Sequence, residues 1–320
     1  MIKVALTGAH TLQAGELIRI LINHPEVEIV ALYAPGLTGR SVSSVHHGLI
    51  GENIINFTDR PDFKGADVLF MCDHEENLDF VLENFHSNPE MKLIDLCPSG
   101  ILQAHYPEMQ VGLSEINRKA LVRGADKAYL LKPQVALALI GLAPLASFML
   151  LPDILEIEIA APEDIIRNFD KVSSEKVIGD LLKIFQTSFS GNVSIRAVAN
   201  RSGRVMRVKS RFKCSLNTDE LAKIYDSVYD DHNFVFISTS PVEGREIEGT
   251  HKTIIYFGKP SSETLEIEIV GDCRLRGGAG DAVHVMNLFF SLFEKTGLTF
   301  KPSRFGENEI STSRPANWFG

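Results

Sequence analysis

The chain has 320 residues, 44% of them hydrophobic and 23% charged, which are ordinary proportions for a folded protein and enough length for two cores. Its net charge of −9 excludes nonspecific binding to a polyanion such as nucleic acid. No apolar run reaches bilayer-spanning length, residues 1–8 read as a strand leading to a glycine rather than a signal peptide, and four cysteines lie scattered without metal-type spacing, so a cytoplasmic protein with reduced thiols is expected.

In chain order, residues 2–6 read as a buried strand, 16–23 as an amphipathic helix and 27–33 as a second strand. Residues 67–72 and 92–96 are further short apolar runs, with a helical stretch over 75–85 between them. Strands that alternate with helices predict a parallel sheet, because parallel neighbours need a crossover connection. Residues 135–150 form an apolar helix that should lead into a second domain. There 154–160, 193–199, 205–215, 253–257 and 264–270 read as strands, several of them alternating between apolar and polar residues, while 172–189, 219–229 and 280–295 read as helices. The pattern predicts an α/β protein: a doubly wound parallel sheet plus an α+β domain whose mixed or antiparallel sheet has one covered face. The tail over 299–320 carries little periodicity.

Three groups of motifs stand in order along the chain. Gly8-Ala9-His10-Thr11-Leu12-Gln13-Ala14-Gly15-Glu16-Leu17 opens it. Val111-Gly112-Leu113-Ser114-Glu115-Ile116-Asn117-Arg118 is followed by Lys132-Pro133-Gln134-Val135. Asp272-Cys273-Arg274-Leu275-Arg276-Gly277-Gly278-Ala279-Gly280-Asp281 comes last. With these motifs the chain resembles the N-acetyl-γ-glutamyl-phosphate reductases, relatives of aspartate-semialdehyde dehydrogenase. The resemblance implies a Rossmann-type dinucleotide-binding domain over 1–133 plus 299–320 and an α+β catalytic and dimerisation domain over 134–298. It also implies NADP as hydride donor, arginine biosynthesis as the setting, and a homo-oligomer, dimer or tetramer.

In the resembling family a cysteine attacks the acyl phosphate and a histidine handles protons. Val135 stands at the cysteine position and Val198 at the histidine position, and valine offers neither a nucleophile nor a proton site. The loop of Gly8, Ala9, Thr11, Leu12 and Ala14 should hold the cofactor, but Thr11 replaces the middle glycine with a β-branched side chain. Ala34-Pro35-Gly36 at the second strand end offers neither a cation for the NADP phosphate nor an acid for the NAD ribose, so nucleotide binding should be weak.

Other residues could still carry chemistry. Cys273, beside Arg274 and Arg276, is either a relocated nucleophile or a partly buried strand-end residue. Lys132, Arg204 and Arg276 are candidate ligands for an acidic metabolite, and Arg196, Arg201 and Arg207 could line the same cleft or lie on a solvated strand face. His46, His47 and His74 lack metal spacing and read as loop residues, so no metal is expected. Two readings follow. One is a silent relative that binds a small acidic metabolite or pairs with an active subunit, without nucleic acid or membrane as partner. The other is an active NADP-dependent reductase of an N-acyl-γ-glutamyl phosphate with an unrecognised nucleophile.

Overall fold

The computed structural model describes residues 1–60, 63–73, 78–97, 99–201 and 203–302; His74 and the tail from 303 onward lie outside the described residues. The first sheet has strand order β2-β1-β3-β4-β6-β5, every pairing parallel, as the alternation of strands and helices requires. Strand β1 (Ile2–Thr7) leads through Gly8 into helix α1 (Leu12–Leu21), which returns the chain to β2 (Val27–Tyr33). Strands β3 (Val68–Met71) and β4 (Lys92–Asp95), joined through α2 (Leu78–His86), lack alternation because both sheet faces are covered. Beyond α3 (Ile101–His105), β5 (Gln110–Val111) and β6 (Lys127–Tyr129) flank α4 (Ser114–Val122).

Helix α5 (Pro133–Ser147) connects the two sheets, and every residue from Gln134 to Ala146 is buried. Pro144 lies inside it and has no N–H to donate to the Ile140 carbonyl four residues back. That carbonyl instead accepts the Tyr229 hydroxyl at 2.7 Å, and the adjacent Gly141 carbonyl accepts the Tyr225 hydroxyl. The second sheet is mixed, built from β7 (Ile154–Pro162), β8 (Asn192–Asn200), β9 (Val205–Lys213), β10 (Val235–Ser238), β11 (Thr253–Ser261) and β12 (Thr264–Asp272) in the order β10-β11-β12-β9-β7-β8. Its inner face packs on α5, on α7 (Lys171–Phe185) beyond the short α6 (Glu163–Arg167), and on α8 (Thr218–Tyr229), which carries both tyrosines. A capping box between Asn217 and Glu220 starts α8.

The partition of the chain differs from the sequence reading at one element. Helix α9 (Ala279–Phe289), expected in the second domain, packs on α1, and 275–298 shares apolar contacts with the first sheet. His24 Nε2 lies 3.0 Å from Asn287 Oδ1, and Asn287 in turn donates to the Glu294 and Thr296 carbonyls. The placement of α9 in the second domain followed the family resemblance; its polar residues Asp281, His284 and Asn287 share one face yet are all buried, so the pattern does not mark which core the helix joins. Among the described residues no helix is long and apolar enough to cross a membrane.

Candidate functional site

The glycine loop after β1 is folded tightly. Gly8 has φ +60°, and a Cβ there would meet Asp73 at 2.4 Å. Thr11 is the N-cap of α1, its hydroxyl oxygen accepting the Ala14 N–H at 3.2 Å. The side chain therefore lies against its own helix and does not block the backbone, which corrects the steric expectation. It still takes one of the helix-start N–H groups that an anion would use, leaving those of Leu12 and Gln13 for a pyrophosphate. His46, expected on a surface loop, packs on this turn instead. Its Nε2 lies 2.8 Å from the Ala9 carbonyl oxygen, and its ring fills the space beside Gly15.

A cavity of about 440 Å³ opens outside the carboxyl ends of the parallel strands, where doubly wound folds hold their ligands. Gln13 and Glu16 of α1, Leu96 and Cys97 after β4, and Lys132 with Pro133 at the start of α5 form one wall. Ile165, Cys273, Arg274, Gly277 and Gly278 form the other. Gln13 closes the first wall by donating to the Leu96 carbonyl at 3.3 Å. Gly277, at φ +65°, brings the second against it, since a Cβ there would lie 2.5 Å from the Pro133 nitrogen. A second chamber of about 290 Å³ shares Lys132 and Ser99 with the first and reaches Val135, Ser173 and Ser174.

Val135 occupies the third position of α5 and is 3% exposed, within the apolar core. Helix starts favour a thiolate, so this one would suit a nucleophile that valine does not supply. Val198, half-buried on β8 opposite Ala160, lines neither chamber. Lys132 is the half-buried N-cap of α5 and has no ion-pair partner among the described residues.

The other cationic candidates are committed elsewhere. Arg204 bonds Glu16 at 2.6 Å and Asp272 at 2.9 Å, and Arg276 is fully buried against Glu115 at 2.7 Å and Asp281 at 3.1 Å. Neither guanidinium is available for a ligand, contrary to the sequence expectation. Arg274 pairs with Asp164, on the short α6 that follows β7. Arg207 pairs with Glu268, Arg211 with Glu266 and Arg196 with Glu158 across the polar outer face of the second sheet, where Arg196, Lys209 and Arg211 line a groove of their own with Glu156, Glu158 and Glu266 that shares no residue with the cavity at the strand ends. Arg201 is exposed at the end of β8.

Cys273 is 3% exposed and its thiol donates to the Arg204 carbonyl at 3.0 Å; burial pushes its pKa up to about 12 against the opposing pull of Arg274. A thiol held protonated is a poor nucleophile, which removes the candidate chosen from sequence. Cys97 is the half-buried cysteine on the cavity wall. Its place just past the apolar run over 92–96, at the carboxyl end of a parallel strand, was the signal available. Behind the cavity, Arg276, Glu115, Asp281, His284 and His251 form a closed polar cluster. Burial pushes the Asp281 carboxyl up to about 6 even beside Arg276, and pushes the His251 imidazole well below its ordinary range.

Residues 3–123 match the family model described as semialdehyde dehydrogenase, NAD binding domain. The N-acetyl-gamma-glutamyl-phosphate reductase of Phocaeicola vulgatus is 30% identical over 326 residues, covering 95% of this chain and 100% of that protein. Its counterpart in Parabacteroides distasonis is 29% identical over 327 residues, with the same coverage. Among solved structures, aspartate semialdehyde dehydrogenase II from Vibrio cholerae superposes with a TM-score of 0.64 at 11% identity, over 91% of this chain and 99% of that one. The aspartate semialdehyde dehydrogenase with NADP from Candida albicans gives 0.63 at 12% identity, over 91% and 98%. At such identities the structures bear on the fold.

Proposed function

This chain belongs to the N-acetyl-γ-glutamyl-phosphate reductase family, and we propose that it is a cytoplasmic, homo-oligomeric member that keeps the family's cavity but has lost thioester-based reduction. The observation that carries this reading is Val135, buried on the first turn of α5 near Lys132, which has no ion-pair partner among the described residues. A lysine at a helix start attracts a carboxylate or phosphate, so the chambers suit a small acidic metabolite. The dinucleotide fits only in part. The Leu12 and Gln13 N–H groups would hold its pyrophosphate, the larger chamber would take the nicotinamide, and neither a cation nor an acid at Ala34-Pro35-Gly36 would grip the ribose. NADPH, when bound, would supply hydride.

Calorimetric titration of the purified protein with N-acetylglutamate is the test of ligand binding. Lys132→Met should weaken it tenfold or more, and an unchanged affinity would remove Lys132 from the site. Activity is tested separately with acyl phosphate and NADPH, where no turnover is expected.

Cys97 on the cavity wall supports a second reading. In it the Cys97 thiolate would displace phosphate from the acyl carbon to form a thioester, and NADPH, when bound, would supply the hydride that reduces it to the aldehyde and frees the thiolate. Turnover abolished by Cys97→Ser would establish that reading and overturn the first.

A further inference from the structure

The closed cluster behind the cavity contains an arrangement that neither chamber uses. His251, on the connection before β11, and Asp281 and His284, both on α9, are at most 3% exposed. Each presents a nitrogen or carboxylate oxygen within 4.8 Å of the other two. Among the described residues neither ring nitrogen of His251 has a hydrogen-bond partner, although Nε2 lies 3.3 Å from Asp281 Oδ1. A neutral imidazole always carries a lone pair, and this one is buried without a use. His284 Nε2 faces Glu294 Oε2 at 2.9 Å and donates to it, which leaves the Nδ1 lone pair on the inner side, 3.3 Å from Ser114 Oγ. A histidine whose far nitrogen is held by a carboxylate is oriented as metal ligands are. Phe234 packs edge-on against both rings, at 4.6 and 5.1 Å between centroids, and fixes their planes. Gly280 admits His251, since a Cβ there would lie 2.3 Å from Nδ1.

We propose that His251, Asp281 and His284 bind one divalent metal of the zinc class, tying α9 to the connection before β11. Two imidazoles and one carboxylate suit zinc, cobalt or iron, whereas magnesium and calcium take mostly oxygen ligands. Charge favours a cation: the single Arg276 guanidinium is shared by Glu115 and Asp281, leaving one negative charge over. The role is structural, because these three side chains line neither chamber, and closure of the site means loading during folding.

The test is to refold the full chain from denaturant with cobalt(II). One equivalent should give visible d–d absorption without a sulfur-to-cobalt band, zinc should displace it, and the thermal midpoint should rise by about 5 °C. His251→Asn and His284→Asn should each lose the absorption while the exposed His47→Asn keeps it. No stoichiometric binding to the folded wild-type chain, a sulfur-to-cobalt band, or absorption retained in the folded His251→Asn and His284→Asn proteins would each overturn the proposal. The wild-type spectrum decides the matter if those variants do not fold.

Discussion

Two polar regions lie side by side at the junction of the sheets and are built on opposite terms. The cavity is open, holds Lys132 without an ion-pair partner among the described residues, and places valine where the family resemblance expects a reacting thiol. In the cluster behind it, Arg276 serves two carboxylates and His284 is held by Glu294, with water excluded. Residues facing a ligand are held by function, and when function shifts they can change at little cost in stability. Residues of a buried charge network hold one another, because removing one leaves its partner ionised in a medium that cannot solvate it.

The largest effect should appear in thiol reactivity between the two walls of the cavity. Cys97 is half-buried on one wall, whereas Cys273 on the other is 3% exposed with its pKa pushed up to about 12, roughly one part in ten thousand thiolate at pH 8, so iodoacetamide should label Cys97 at least about a hundredfold faster. Peptide mapping of partially labelled protein measures the ratio, and comparable rates would show the cavity wall to be as closed as the core. Next comes stability. Arg276→Leu should cost about 3–5 kcal/mol in urea unfolding, against a change within about 0.5 kcal/mol for Lys132→Leu. Equal losses would break the comparison.

Acid should loosen the cluster's outer carboxylate. Its hydrogen bonds and charge pairs with His284 and Arg118 outweigh burial and hold the Glu294 carboxyl down at about 2, below its unfolded value. Its contribution is therefore fully present above about pH 4.5 and is lost as pH falls toward 2. The urea midpoint should drop over that window, and Glu294→Gln should be less stable at neutral pH with a shallower drop. The smallest effect belongs to the glycine loop. Thr11→Gly removes the cap hydroxyl, costing up to about 1 kcal/mol, yet frees the Ala14 N–H for phosphate. NADP affinity, expected no tighter than about 100 μM in the wild type, should then improve; a further loss would mean that the hydroxyl itself binds the nucleotide.

Much of the fold was legible because long elements leave a period in the sequence. Residues 27–33 were delimited without error, and β7, β8, β9, β11 and β12 were all located. β5, β6 and β10 were missed, the first two because two or three residues display neither alternation nor an apolar run. At the site, sequence singled out Lys132 and Val135 through their motif. It misjudged Arg204 and Arg276 because their partners Glu16 and Glu115 are 188 and 161 residues away, and pairing at such range leaves no local trace. The pairing of His251 with His284 was hidden for the same reason.

Pro144 carries a consequence for how this chain can change over time. Its missing N–H obliges another residue to serve the Ile140 carbonyl, and Tyr229 on α8 does so. The two positions are thus one hereditary unit: replacing Pro144 by alanine restores the helical donor and releases the tyrosine, whereas Tyr229→Phe alone strands a buried acceptor. In a double-mutant cycle Tyr229→Phe should cost about 1 kcal/mol less in the Pro144→Ala background than in the wild type. Lineages that lose the proline should then be free to lose the hydroxyl, and in that order.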